Sequence, residues 1–253
     1  MSRNFELLQN LGKEGMLLDA DVPVEQKLPK PVSEPLAREP HLKLEPRERE
    51  ELTKLAQRIF LTPGAETPRV VVFTATESGN GCSSICACAA ELLAAQVAGS
   101  VCLVDANLRH PGLHEQFAVE NHYGLADALR GSDPMLSFAR TLSRPNLWLV
   151  SCGASPEGSL PLLSSDRMRQ RIAELRSSVD YVLIDASAMN VSNEATTLAA
   201  AADGVVMVLK ANSSRRETVR KAVHDLQTAQ VRVLGAVLNQ RTFPIPESIY
   251  NRL

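Results

Sequence analysis

From Arg69 onward the chain alternates apolar, β-branched runs with helical patterns, and this rhythm constrains the fold more than any other feature. "RVVVFTA" precedes a helical stretch over 83–98, "VCLVDA" a short helix near 124–130, and "LWLVSC" the segment "SDRMRQRIAELRSSV". "YVLIDA" is followed by "EATTLAAAA", "GVVMVLK" by "RRETVRKAVHDLQTA", and a last run reads "VRVLGAVLN". A strand that is apolar at nearly every position is buried on both faces, so helices must lie above and below a mostly parallel sheet. The pattern predicts an α/β fold over 48–253: a doubly wound, mostly parallel sheet of about six strands with helices on both faces. Ligands of such sheets bind at the carboxyl ends of the strands.

Ahead of this unit, residues 1–18 have Phe5, Leu7, Leu8 and Leu11 at helical spacing and predict an amphipathic helix. Its polar face lacks the Lys/Arg run of a membrane-surface helix, so a docking helix is expected. Residues 19–47 hold Pro23, Pro29, Pro31, Pro35, Pro40 and Pro46 among polar residues and read as a semi-extended linker. Helical character returns at "EPREREELTKLAQRIFL". The opening "MSRNFELLQNLGKEGMLL" has neither the uncharged core nor the cleavage site of a signal peptide. The most apolar window, "LAAAADGVVMVL", is broken by Asp203 and falls short of the roughly 20 residues that span a bilayer. A cytoplasmic location is expected, peripheral to the membrane only through a partner.

Charge is balanced, with 27 basic and 29 acidic residues, which excludes the basic excess of a general nucleic-acid binder. Five cysteines, Cys82, Cys86, Cys88, Cys102 and Cys152, fit no disulfide framework and are expected to be free. The five histidines are scattered, without metal-ligand spacing. Trp148 lies on a strand pattern and is expected in the core, while "SSRRETVRKAVHD" reads as the solvated face of a helix.

The strand ends carry the chemistry. The first run leads into "TESGNGCSS", where Gly79 and Gly81 let the backbone curl round a phosphate at the start of the next helix. The second ends at Asp105, with Asn107 and Arg109 just beyond; the fourth ends at Asp185; the last ends at Asn239. A glycine-rich turn alone is weak evidence, but these residues in this order at successive strand ends point to a phosphate site or its remnant.

The ordered stretches "FTATESGNGCSS", "CLVDANLRHPGLHEQF", "LLSSDRMRQRIAELRSSVDYVLIDAS" and "ADGVVMVLKANSSRRETVRKAV" resemble the bacterial tyrosine kinases (BY-kinases). These belong to the ParA/MinD-like P-loop ATPases and act in capsular and exopolysaccharide synthesis. Glu77 stands where MinD-type members carry a signature lysine, which sets the chain apart from that branch. The resemblance implies that Gly79, Asn80, Gly81, Cys82, Ser83 and Ser84 cradle the phosphates of ATP or ADP. It implies Mg²⁺ on Ser83, Asp105 and Asp185, with the two aspartates as the catalytic carboxylates, and adenine against Asn239. Arg109 is a candidate phosphate contact or half of a structural ion pair.

The departures are as informative. Cys82 occupies the position of the phosphate-binding lysine, whose charge stabilises phosphoryl transfer; losing one such preorganised donor costs on the order of 10²–10³ in rate. The second-strand Asp-x-Asp pattern here is Asp105-Ala106-Asn107, and the proline pair after Asp185 is replaced by "ASAMN". The family's ring-forming E-x-x-R-x-x-R helix reads Glu51, Lys54, Gln57, and neither replacement reproduces a bidentate arginine. The tyrosine cluster of the tail is reduced to Tyr250, since Tyr123 and Tyr181 lie far from it. Together these changes predict a catalytically weak or inactive regulator of polysaccharide assembly that retains nucleotide as a ligand. Its expected partners are a membrane polysaccharide co-polymerase, an active kinase paralogue or further copies of itself. The alternative is an active ATP-dependent tyrosine autokinase in which Arg109 or Lys210 replaces the lysine. A third possibility is redox sensing by a Cys82 thiolate activated at the helix start, against which an inert, buried Cys82 is the favoured reading.

Overall fold

The computed structural model describes residues 44–62, 67–154 and 157–241. The expected helix over 1–18, most of the linker and Tyr250 lie outside the described residues.

Helix α1 (Pro46–Ala56) starts with proline at its first position and a reciprocal cap in which the Glu48 carboxylate accepts the Glu45 N–H at 3.1 Å. A π-helical turn, Gln57–Leu61, extends it. The sheet then alternates with helices: β1 (Val70–Ala75), α2 (Cys82–Gln96), β2 (Val101–Asp105), α3 (Leu113–Gln116), α4 (Leu125–Arg130), β3 (Arg140–Thr141) and β4 (Leu147–Val150). There follow α5 (Asp166–Ser178), β5 (Tyr181–Asp185), α6 (Glu194–Ala200), β6 (Gly204–Lys210), α7 (Arg216–Thr228) and β7 (Val233–Asn239).

The seven strands lie in the order β3-β4-β2-β5-β1-β6-β7. All pairings are parallel except β3 with β4. The doubly wound sheet is therefore as expected, with six parallel strands and one antiparallel edge addition. From β1 the chain steps past β5 to reach β2, and from β5 it crosses β1 in the other direction to reach β6. The carboxyl ends of β1, β5 and β2 consequently sit side by side at the reversal, with Phe73 opposite Asp185 and Asp185 opposite Asp105.

The period of two along each strand divides the core. Val71, Phe73, Leu103, Leu149, Leu183, Val206 and Val208 pack under α1 and α2, whereas Val70, Val72, Val104, Val150, Ile184 and Met207 pack under α4 to α7. Each such fully buried side chain contributes about 1.5–3 kcal/mol. Cys86 and Cys88 are both buried although they point to different sides of α2, because that helix is enclosed between the sheet and α1. Trp148 lies in the core, and α7 turns only Ala222 and Leu226 fully inward, leaving the rest of its charged stretch at the surface.

Candidate functional site

The β1–α2 turn is built to hold a concave backbone. Gly79 and Gly81 both have φ of +82°, which glycine adopts without strain. Gly81 caps α2, its carbonyl accepting the Ile85 N–H at 3.1 Å, and the first-turn amides beyond it have no partner within the helix. Asn80 is buried and pins the turn from beneath, its Nδ2 donating to Thr76 Oγ1 and to the Val208 carbonyl, each at 3.3 Å. From the end of β7, Asn239 Nδ2 donates to the Asn80 carbonyl at 2.9 Å and Gln240 Nε2 to that of Gly79 at 3.4 Å. Above the turn opens a pocket of about 480 Å³, lined by residues 77–84 together with Asn107, His110, Ser187 and Val191. Neither arginine nor lysine is among the described residues that line it.

Two carboxylates sit below the pocket. Asp185 is fully buried, and neither of its oxygens has a hydrogen-bond partner of standard geometry among the described residues. Burial and then the Asp105 charge push its pKa up to about 8, partly offset by the Ser83 hydroxyl and the Cys82 thiol nearby. Asp105 is better provided for: Oδ1 accepts the Asn107 N–H at 3.2 Å, and Oδ2 accepts those of Gly112 at 3.2 Å and Leu113 at 3.1 Å. Its burial still outweighs those amides and moves its pKa up to about 6. The pair thus shares less than its full charge near neutrality.

The remaining candidates are tied together differently. Arg109 forms an ion pair with the buried Glu194 at 2.8 Å, the structural role weighed for it from sequence, and it does not line the pocket. The Ser187 hydroxyl bridges the Asn107 side-chain oxygen at 3.0 Å and Glu194 Oε2 at 3.3 Å, so Asn107 is held at the pocket wall by a polar chain. Lys210 is also absent from the lining. Ser83 and Ser84 line the pocket, and Asn239 serves as a clamp on the turn.

The Cys82 thiol is pushed well above the ordinary range, by burial first and by the Asp185 charge second, which agrees with the inert Cys82 favoured from sequence and not with an activated thiolate. The fold also makes a grouping that the scattered histidines did not suggest: Asp105, His114 and Cys152 each place one ligand atom within 4.8 Å of the others. Their separation in sequence matches no ligand spacing, and only the folding of α3 against the ends of β2 and β4 unites them. On α1, Lys54 is engaged by Glu50 and Glu51, while Gln57 donates to Gln96 at 2.8 Å. Tyr181 packs edge-on against Phe60, and Tyr123 is exposed. Among the described residues no helix is long and apolar enough to cross a membrane.

A parallel, doubly wound sheet with a glycine turn after β1 and aspartates closing the adjacent strands defines the P-loop ATPase-like class of the ParA type. Solved structures agree on the fold. The chimerical protein CapA2B2 superposes with a TM-score of 0.72 at 23% identity over 79% of this chain and 87% of its own. The kinase domain of the Escherichia coli tyrosine kinase ETK gives 0.73 at 21% identity over 83% and 85%. A Cyanothece McdA variant in complex with ATP gives 0.58 at 16% identity over 68% and 70%. No protein-family model matches the chain. Among curated proteins, the tyrosine-protein kinase YwqD of Bacillus subtilis is 31% identical over 169 residues, 67% of this chain and 71% of YwqD. The putative tyrosine-protein kinase EpsB of Ralstonia nicotianae is 32% identical over 170 residues, 67% of this chain but only 22% of EpsB. The succinoglycan biosynthesis transport protein ExoP of Rhizobium meliloti is 29% identical over 180 residues, 70% of this chain and 23% of ExoP. The chain belongs to the bacterial tyrosine kinase family.

Proposed function

We propose that this chain is a nucleotide-binding, catalytically weak or inactive BY-kinase-like protein that regulates exopolysaccharide or capsule assembly. The observation that carries the reading is the pocket over the β1–α2 turn, which keeps a phosphate-cradling shape but has the neutral Cys82 thiol at the lysine position and no lysine or arginine among its described lining. The amides of Gly79–Ser84 fit an anion, and the buried Asp185, whose oxygens lack partners of standard geometry among the described residues, fits a metal ion or its water. Ser83, Asp185 and, with less freedom, Asp105 would hold Mg²⁺, which when bound supplies charge neutralisation at the phosphates. Asn107 keeps the shape of an acid at the pocket wall without its basicity, and the Ser187 hydrogen bond occupies its side-chain oxygen. Orientation of the nucleotide is therefore retained while charge stabilisation of transfer is reduced.

A protein of this kind acts through contacts. The names of its relatives, a succinoglycan biosynthesis transport protein and several tyrosine-protein kinases, support docking on a membrane polysaccharide co-polymerase or an active kinase paralogue. Homo-oligomerisation and a location at the inner membrane face follow from that reading.

The test is calorimetric titration of ATP and ADP with Mg²⁺, with Cys82→Lys beside the native protein and phosphate release followed in parallel. Binding by the native protein without turnover is the expected result. No binding at millimolar nucleotide would make the site vestigial, and hydrolysis or autophosphorylation by the native protein would establish the alternative, an active kinase with a rewired loop.

A further inference from the structure

We infer that Asp105, His114 and Cys152 form a binding site for one divalent transition-metal ion of the zinc class, beside the phosphate pocket and sharing Asp105 with the Mg²⁺ site proposed above. Asp105 closes β2, Cys152 follows the neighbouring strand β4, and His114 sits on the short helix α3 that folds over both. One ligand atom from each lies within 4.8 Å of the other two. Ligands of a tetrahedral ion with bonds of about 2.0–2.3 Å stand roughly 3.3–3.8 Å apart, so closure needs a shift of only about an ångström. Imidazole nitrogen, thiolate sulfur and carboxylate oxygen are the donor types zinc takes, and three of them leave a fourth position for water.

Asp105 and Cys152 are already hydrogen-bonded, the Cys152 thiol donating to the Gly153 carbonyl at 3.2 Å, and the imidazole is the group left over. His114 Nδ1 is buried and has no hydrogen-bond partner among the described residues, even though a carboxylate and a thiol are close by. Its other nitrogen, Nε2, stands 3.9 Å from the exposed Glu115 carboxylate, beyond hydrogen-bond reach. Asn121 Nδ2 approaches Cys152 Sγ at 3.2 Å, and three backbone amides fix the Asp105 carboxylate. Both ligand neighbours are thus already oriented. Asp105 and Cys152 are fully buried, whereas the His114 side chain keeps 20% of its surface exposed and marks the path of entry.

The test uses the full chain, reduced and stripped with chelator, titrated with Co²⁺ in the absence of nucleotide. The expected result is a thiolate-to-cobalt charge-transfer band that saturates at about one ion per chain and is displaced by Zn²⁺. Cys152→Ser should abolish the band and His114→Gln should weaken binding by about tenfold or more. Cys82→Ser and Cys88→Ser should keep the band, which identifies the sulfur. Circular dichroism of each metal-free variant establishes that it is folded, and the partly exposed His114 tolerates substitution if Cys152→Ser does not. No band in the native protein, a band that survives Cys152→Ser, or one lost with Cys82→Ser would overturn the site.

Discussion

Cys82 is a short neutral group where the family resemblance implies a long cation, and the carboxylate beneath it shows the consequence. Burial first and the Asp105 charge second raise the pKa of Asp185 against a smaller lowering by the Ser83 hydroxyl and the Cys82 thiol, while burial and the Asp185 charge raise that of Cys82. The backbone turn above survives because its shape depends on other residues. Gly81 is the sharpest case: a Cβ there would stand 2.4 Å from Asn239 Nδ2, and its φ of +82° is unfavourable for any side chain. Gly81→Ala should therefore lose about 1–2 kcal/mol from the left-handed backbone alone, with more from the displaced Asn239 clamp, measured by urea unfolding. Adding Asn239→Ala should restore only the steric part; full restoration would show that the backbone term is absent. The turn glycines and both aspartates were legible in the sequence, since each stands at a strand end of fixed polarity. The capture of Asp105 by three amides, and its meeting with His114 and Cys152, were not, because they arise from how residues 107–114 fold back over the strand ends.

Among the elements, the parallel strands could be read directly, because burial on both faces removes the need for polar alternation. β3 could not: it is two residues long and pairs antiparallel at the edge, below any periodic signal. The π-helical turn after α1 was equally hidden inside a continuous helical pattern. How β1 is anchored shows what a single loop carboxylate contributes to an element. Asp203 Oδ2 accepts the N–H groups of Arg69 at 2.7 Å and Val70 at 2.8 Å, and Arg176 completes a two-point ion pair with the same carboxylate. Burial alone would raise its pKa, but Arg176 and those two amides outweigh burial and lower it. Asp203→Asn should cost about 2 kcal/mol near neutral pH, since charge-assisted hydrogen bonds contribute about 1.5–3 kcal/mol each and this site is partly exposed. A depressed pKa gives stability that is present above the unfolded value of 3.8 and is lost as the pH falls below it through the folded value. The difference in Tm between the two proteins should accordingly shrink in acid; a difference that persisted unchanged would assign the effect to geometry and not to charge.

For the whole molecule, the buried carboxylate pair makes stability a function of pH in the opposite sense. Asp185 holds its proton up to about pH 8 in the folded chain, against 3.8 for an ordinary aspartate. Between those values the folded state binds more protons than the unfolded state, so stability falls as pH rises through the window and the cost is complete above it. Asp105, raised to about 6, adds to the same slope over its lower part. Asp185→Asn removes the titration while preserving shape, so its Tm should exceed that of the native chain by a margin that grows from about pH 5 to about pH 8.5. A margin widening by at least about 1 kcal/mol, or about 2–4 °C for a chain of this size, is expected. Mg²⁺ with nucleotide should narrow it at the alkaline end, because a cation over Asp185 offsets the charge that burial penalises. Thermal melts of both proteins across that range, with and without Mg²⁺ and ADP, test the two statements separately. A pH-independent margin would place the pair's charge elsewhere, and a margin unaffected by ligand would mean that no metal reaches Asp185.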